Sequence, residues 1–376
     1  MERQDREQMR VYAKVSRAAL RHNMEAIRDS LPEGIRIAGV VKADAYGHGA
    51  ALVADTIEPY VSFFCVATAE EALGLRKHGI EKPVLVLGPV FDADYEDLVR
   101  AEIRPSIFTE AQAEALSKAA EKLGRKAAFH LAVDTGMHRI GLNPDAEGVR
   151  LAERIAAFSN LDFEGMFTHF YRADEWSQET TELQEQRFRD FRKALRERGL
   201  SPRICHIANS AGILNLRGTE YDMMRAGISI YGIYPATEMA HPLALEPVLS
   251  LHSTVTYVKE LPAGAAVSYG GTFVAERPMR VATVSIGYGD GYPRALSNKV
   301  EVLIHGKRCL ILGRVCMDQL MADVSAVPEA RTGSPVTLLG RDGEACITLE
   351  ELAERSGRFH YEILCCLNQR VPRIDS

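Results

Sequence analysis

The sequence predicts an α/β protein, a (β/α)8 barrel followed by a mostly β second domain. Three observations lead there. Through the first 235 residues or so, eight short β-branched runs alternate with helical stretches. After Pro235 the texture changes to short strand-like pieces separated by Gly and Pro turns. The length, 376 residues, exceeds one average domain.

The eight runs span residues 36–41, 63–68, 84–87, 105–108, 129–134, 163–169, 203–207 and 223–230. The segments between them are rich in Ala, Glu, Leu, Lys and Arg, and 111–123 and 182–198 show the clearest helical spacing. Strand–helix alternation implies parallel strands joined by crossover helices, and eight such units imply a closed barrel. The run 242–247 reads as a linker, and the domains are expected at 1–238 and 239–376. Beyond the linker, strands are expected at 249–258, 280–286, 300–304, 309–312 and 336–339. A helix is expected at 348–356, with Thr348 as its cap and Glu351 completing a capping box.

Composition excludes several function classes. The net charge of -6 argues against a nucleic-acid partner, which needs a basic patch. No apolar stretch approaches the roughly 20 residues that span a bilayer, and residues 1–10 are charged, without the apolar core of a secretory leader. The seven cysteines are odd in number and form no C-x-x-C pair, which fits reduced cytosolic thiols and no metal site.

The string Arg36-Ile-Ala-Gly-Val-Val-Lys42 ends an apolar strand in a lysine, and a glycine-containing turn follows through Gly49. At the C-terminal end of a barrel strand, such a lysine points into the usual active-site mouth. A desolvated lysine has a lowered pKa and forms a Schiff base with an aldehyde. On position alone, a lysine that snorkels to solvent fits as well.

Val41-Lys-Ala-Asp-Ala-Tyr-Gly-His-Gly49 resembles the cofactor-lysine motif of alanine racemases. Further matching strings follow in order: Asp134-Thr-Gly-Met-His-Arg139-Ile-Gly141, Thr168-His-Phe170, His206-Ile-Ala-Asn-Ser-Ala211, Met224-Arg-Ala-Gly-Ile228, Val267-Ser-Tyr-Gly270, Ile286-Gly-Tyr-Gly-Asp-Gly-Tyr-Pro-Arg294, Gly313-Arg-Val-Cys-Met-Asp318, Tyr361-Glu362 and Arg370-Val-Pro-Arg373. The resemblance covers nearly the whole chain. It implies an isomerase with pyridoxal 5′-phosphate (PLP) on Lys42, interconverting L- and D-alanine in the cytoplasm and supplying D-alanine for peptidoglycan.

The resemblance also distributes roles. Lys42 and Tyr269 are the two catalytic bases, one for each face of the substrate. Asn209 and Ser210 follow the seventh strand at the start of a short helix, where free N–H groups suit a phosphate; a plain helix cap is the alternative. Gly227 and Ile228 add N–H donors, and Tyr46 and Tyr361 add phenols. Arg225 faces the ring nitrogen; as a permanent donor it would keep that nitrogen unprotonated. A barrel-mouth ion pair with Asp222 is the competing account of Arg225. His169 links Arg225 to Tyr269, and a protonated His169 together with Arg225 is expected to lower the phenol's pKa. Arg139 and Met317 bind the substrate carboxylate, while Tyr288 either lines the access route or merely shapes a turn. Because Tyr269 and Met317 reach the lysine of the partner subunit, a homodimer is implied.

Two departures stand out. Many relatives carry a lysine, often carbamylated, where this chain has Ala132, so Arg139 is expected to be held by something else or less rigidly. Asn368-Gln369 replaces a polar-aromatic pair. The remaining alternatives are a preference for serine or another small amino acid, a PLP-dependent decarboxylase of the same plan, and a non-enzymatic PLP carrier.

Overall fold

The computed structural model describes residues 9–236, 239 and 242–376. Most of the charged N-terminal stretch, and residue 238 at the expected domain boundary, lie outside the described residues. The chain divides into two compact units. One comprises residues 18–45 and 50–246; the other comprises the segment up to Arg17, residues 46–49 and residues 247–376.

The first unit is built on eight parallel strands: Arg36–Val40, Phe63–Val66, Val84–Val86, Arg104–Ile107, Ala127–Ala132, Leu161–Phe167, Ile204–His206 and Met223–Ala226. The first seven pair in sequence order, and the eighth pairs with the first. The ring closes where the Asp222 N–H donates to Cys205 C=O at 2.9 Å and the Arg225 N–H to Ala208 C=O at 3.1 Å. The strands read as continuous apolar runs because both faces are covered, as in Val84–Val86, where every residue is buried. Phe64, Leu85, Ile107, Phe129 and Met166 are completely buried.

All eight expected barrel strands are present, with one correction. The eighth ends at Ala226 and does not run to residue 230; a 3-10 turn, Ile228–Tyr231, follows. The Gly227 and Ser229 N–H groups have turned from the sheet toward the Ser210 hydroxyl.

In the second unit, Leu249–Leu261 is the central strand. It pairs with Val11–Val15, Met279–Val284 and Pro335–Asp342. Glu301–Ile304, Lys307–Leu312 and Leu320–Asp323 join the last two, so six strands form a closed ring. Val11–Val15, left unassigned by the sequence reading, lies between Leu249–Leu261 and the parallel Arg373–Asp375. Its alternating burial is that of a strand with one face on a core. This pairing is why the N-terminal segment groups with the β unit.

Helix Leu349–Ser356 is capped by Thr348, whose side chain accepts the Glu351 N–H at 3.2 Å. The expected capping box does not form. The Glu351 carboxylate instead takes two hydrogen bonds from Arg308, at 2.8 and 2.9 Å.

Candidate active site

Lys42 lies two residues beyond the first barrel strand and lines a cavity of about 300 Å³ at the strands' C-terminal ends. Ala132, Asp134, Arg139, Phe167, Thr168 and His169 share that cavity. A larger recess of about 470 Å³ lies at the opposite end, around Arg104 and Lys126. Barrel enzymes use the C-terminal end, and Lys42, Arg139 and His169, from three different strand ends, converge there.

The chain beyond Lys42 turns with the opposite hand to an ordinary helix. Ala43, Asp44, Ala45 and Tyr46 have φ of 52°, 51°, 54° and 52°. The left-handed conformation costs a residue with a Cβ about 1–2 kcal/mol, so this turn persists only because its surroundings hold it. Ala45 is fully buried and its N–H donates to Val41 C=O at 2.9 Å. Gly47, at φ 80°, must be glycine, since a Cβ there would stand 2.2 Å from the Leu364 carbonyl oxygen.

Arg225, on the eighth strand, is 2% exposed. Its guanidinium donates to His206 Nδ1 at 2.7 Å, Thr168 C=O at 2.8 Å, Ile207 C=O at 3.0 Å and His169 Nδ1 at 3.2 Å. Among the described residues no carboxylate pairs with it, which corrects the competing ion-pair account. Asp222 Oδ2 is engaged elsewhere, accepting from the Cys205 N–H at 2.8 Å. Burial draws the Arg225 pKa down to about 10, so it remains a cation and a donor at neutral pH.

The histidines around Arg225 are neutral. Burial, then Arg225, Arg139 and Lys42, push His169 well below the ordinary imidazole value. A guanidinium can only donate, so His169 Nδ1 is an acceptor and the proton sits on Nε2. The expectation of a protonated His169 is thereby corrected. Burial does the same to His206, followed by Arg225 and His130. His206 Nε2 meets His130 Nδ1 at 2.8 Å, and His130 Nε2 stands 3.4 Å from Glu164 Oε2. Burial alone would lift the Glu164 carboxyl, but His130 and Arg104 outweigh it and hold the group at about 2. A polarised row thus leads from Arg225 to a carboxylate at the far end of the barrel. The sequence reading quoted His206 within a motif without a role and missed His130 and Glu164.

Asn209 caps helix Ser210–Leu214, its side chain accepting the Gly212 N–H at 3.0 Å. Three donors converge on Ser210 Oγ: the Gly227 N–H at 2.9 Å, the Ser229 N–H at 3.3 Å and the Ser229 hydroxyl at 3.1 Å. One hydroxyl oxygen offers two lone pairs, so this buried cup has more donors than acceptors. Ser229, fully buried, is a further member that the sequence reading did not single out.

Arg139 makes no hydrogen bond or ion pair among the described residues, and Ala132 beside it is buried. The turn carrying Arg139 is itself anchored. Asp134 Oδ1 accepts from the Gly136 and His138 N–H groups, at 2.9 and 3.0 Å. Gln184 donates to Thr135 Oγ1 at 3.0 Å and to His169 C=O at 2.9 Å.

The remaining expected residues belong to the β unit. Tyr46 and Tyr361 come together there, ring centroids 6.0 Å apart and nearly perpendicular. Tyr269, Met317 and Tyr288 are all exposed, at 69%, 52% and 41%. Their loops are tied: the Ser268 hydroxyl donates to Arg314 C=O at 2.6 Å, and the Tyr288 and Gly289 N–H groups donate to Cys316 and Met317 C=O at 3.0 and 2.8 Å. Asn368, one of the two departures, donates to Gly289 C=O at 2.8 Å and so braces the Tyr288 loop.

A parallel barrel with a lysine ending its first strand, and a β unit beside it in the chain, define the class of PLP enzymes built on this plan. The family model "Alanine racemase, N-terminal domain" matches residues 15–235, and "Alanine racemase, C-terminal domain" matches 248–375. The chain is 39% identical to alanine racemase of Halothermothrix orenii over 96% of each sequence. Among solved structures it matches alanine racemase of Clostridium difficile 630 with a TM-score of 0.95 and 36% identity, covering 98% of this chain and 96% of the other. It also matches the Bacillus anthracis enzyme with bound L-Ala-P, with a TM-score of 0.92 and 35% identity, covering 98% and 95%. The chain belongs to the alanine racemase family, and it is a PLP-dependent isomerase. The donor-rich cup at Ser210 suits the phosphate of that cofactor.

Proposed function

We propose that the chain interconverts L- and D-alanine by moving the α-proton between two bases, Lys42 on one face and Tyr269 on the other. The residues that would hold PLP are Lys42, Tyr46, His169, Asn209, Ser210, Arg225, Gly227, Ile228 and Tyr361. When bound, PLP supplies an electron-withdrawing ring conjugated to the substrate nitrogen.

One observation carries the reading. Arg225 is a buried, charged donor surrounded by neutral histidines and carbonyls, with no carboxylate paired to it among the described residues. With Arg225 donating to it, the ring nitrogen would stay unprotonated, and the bound ring would draw less charge from the α-carbon, which favours the proton's return there. A carboxylate would favour deeper withdrawal, which decarboxylation and transamination use. This favours racemisation over the decarboxylase alternative. The carrier alternative offers no account of a second unit presenting Tyr269.

Lys42 holds or takes a proton on its ε-nitrogen, and Tyr269 does so on its phenolic oxygen. Arg139 clamps the substrate carboxylate, aided by the N–H of Met317. The exposed Tyr269, Met317 and Tyr288 support a homodimer in which the second copy covers and uses them. A cytoplasmic location and a supply of D-alanine for peptidoglycan fit this activity. Among the described residues, no helix is long and apolar enough to cross a membrane.

The test is a chiral assay of the purified enzyme over L-alanine, L-serine and other small amino acids. Inversion fastest with alanine is the expected result. Carbon dioxide release without inversion sinks the proposal, and fastest turnover of serine reassigns the substrate.

A further inference from the structure

The left-handed turn after Lys42 is gripped from outside by one carboxylate. Glu71 Oε1 accepts the Ala43 N–H at 2.7 Å, and Glu71 Oε2 accepts the Ala67 N–H at 2.7 Å. Ala43 is the first residue of the turn, and Ala67 directly follows the second barrel strand, Phe63–Val66. The carboxylate therefore ties the lysine's turn to a neighbouring strand of the rigid barrel.

Glu71 belongs to helix Ala69–His78, whose cap Thr68 accepts the Glu71 N–H at 3.3 Å. In a Thr-x-x-Glu start the acidic side chain ordinarily reaches back to the cap residue's own N–H. The corresponding start at Thr109 does so: Gln112 Oε1 accepts both the Thr109 N–H at 3.1 Å and the preceding Phe108 N–H at 3.0 Å. Glu71 keeps the bond to the residue before the cap but sends its other oxygen to Ala43. A side chain of helix-capping type has been diverted to the segment that aims Lys42.

We propose that Glu71 is a positioning residue for Lys42, holding the left-handed turn 43–46 so that the lysine's ε-nitrogen is fixed in the cavity. This rests on Lys42 being the cofactor lysine. Both bonded N–H groups need an acceptor, and the two carboxylate oxygens supply one each. In Glu71→Gln, the amide nitrogen can only donate, so one of the two N–H groups faces a donor.

The experiment compares full-length, PLP-loaded wild-type enzyme with Glu71→Gln. Glu70→Gln, one residue away and exposed, serves as the control. Three readouts are taken: hydrogen exchange of the peptide spanning 41–47, the lysine labelled after borohydride trapping of PLP, and kcat and KM for L-alanine. The expected result for Glu71→Gln is exchange about 10-fold faster in 41–47, with the barrel strand at 127–132 unchanged. A kcat about 10- to 100-fold lower is also expected, with KM within about twofold, as for a misaimed reacting group. Adding Ala43→Gly, which adopts the left-handed region without strain, should restore part of the lost kcat. Unchanged exchange in 41–47, or a looser turn with unaltered kcat, overturns the proposal. If Glu71→Gln does not fold, Glu71→Asp carries the test: the shorter carboxylate cannot span both N–H groups, so exchange in 41–47 should again rise, and wild-type exchange there overturns the proposal. A label on another lysine in the wild type overturns the Lys42 assignment itself, and the exchange readout is independent of that outcome.

Discussion

His206 Nδ1 lies 2.7 Å from Arg225 Nη1, so the imidazole accepts from the guanidinium and its proton must sit on the far nitrogen, facing His130. Both rings are fully buried and titrate below the ordinary histidine value. In the unfolded chain they regain a pKa near 6.5. As pH falls below about 6.5 the unfolded state binds protons that the folded state refuses, so stability falls with pH at up to about 1.4 kcal/mol per unit per histidine. Urea midpoints measured from pH 7.5 down to 5.5 should drop, and His206→Gln should flatten that slope by about one histidine's share. Parallel slopes in the two proteins refute the neutral assignment of His206.

Arg225→Lys removes the fork that serves Thr168, Ile207, His206 and His169 together. An ammonium keeps the charge but cannot reach all four acceptors. Loss of two or more buried hydrogen bonds to a charged group should cost about 3 kcal/mol or more, read as a lower midpoint, and racemisation should fall with it.

Tyr269→Phe deletes one hydroxyl from an exposed side chain, so folding should be untouched. Removal of a general acid–base group lowers turnover by about 10²- to 10⁴-fold. Chiral assays should show that loss while the PLP absorbance stays in place. Turnover at the wild-type rate eliminates Tyr269 as a base.

Arg139 makes no hydrogen bond or ion pair among the described residues, so Arg139→Gln should leave thermal stability within about 0.5 kcal/mol. The effect should fall on the substrate, with KM for alanine rising about 10-fold or more as the carboxylate loses a charged partner. An unchanged KM points to a different clamp.

Gly47→Ala introduces a Cβ where the Leu364 carbonyl oxygen would be 2.2 Å away, at a φ of 80°. The clash and the left-handed backbone act together, for an expected loss of about 2–4 kcal/mol. Thermal unfolding of the full chain reads it directly.

The barrel was legible because each of its strands is an uninterrupted apolar run between helical stretches, as in Val84–Val86. Val11–Val15 also alternates as a strand should, yet it has no neighbouring strand in sequence. Its partners, Ser253 to Leu249 and Arg373 to Asp375, lie at the other end of the chain, beyond any local pattern. Among site residues, Lys42 announced itself by ending an apolar strand. Glu71 and Glu164 did not: a glutamate near a helix start or in a strand looks like surface charge until its oxygens are traced. The Glu351 box failed for a related reason, because the cap motif is local while the competing Arg308 is not.

The position of Val11–Val15 has a consequence for how the chain is made. Among the described residues it is the first β segment in the chain, and both of its neighbours, Leu249–Leu261 and Arg373–Asp375, emerge after the whole barrel has been synthesised. Through that interval its edges stay open to foreign strands. A tag or truncation at the C-terminus therefore strikes at the N-terminal strand, and aggregation during expression should be governed by how soon the last three residues of that sheet arrive.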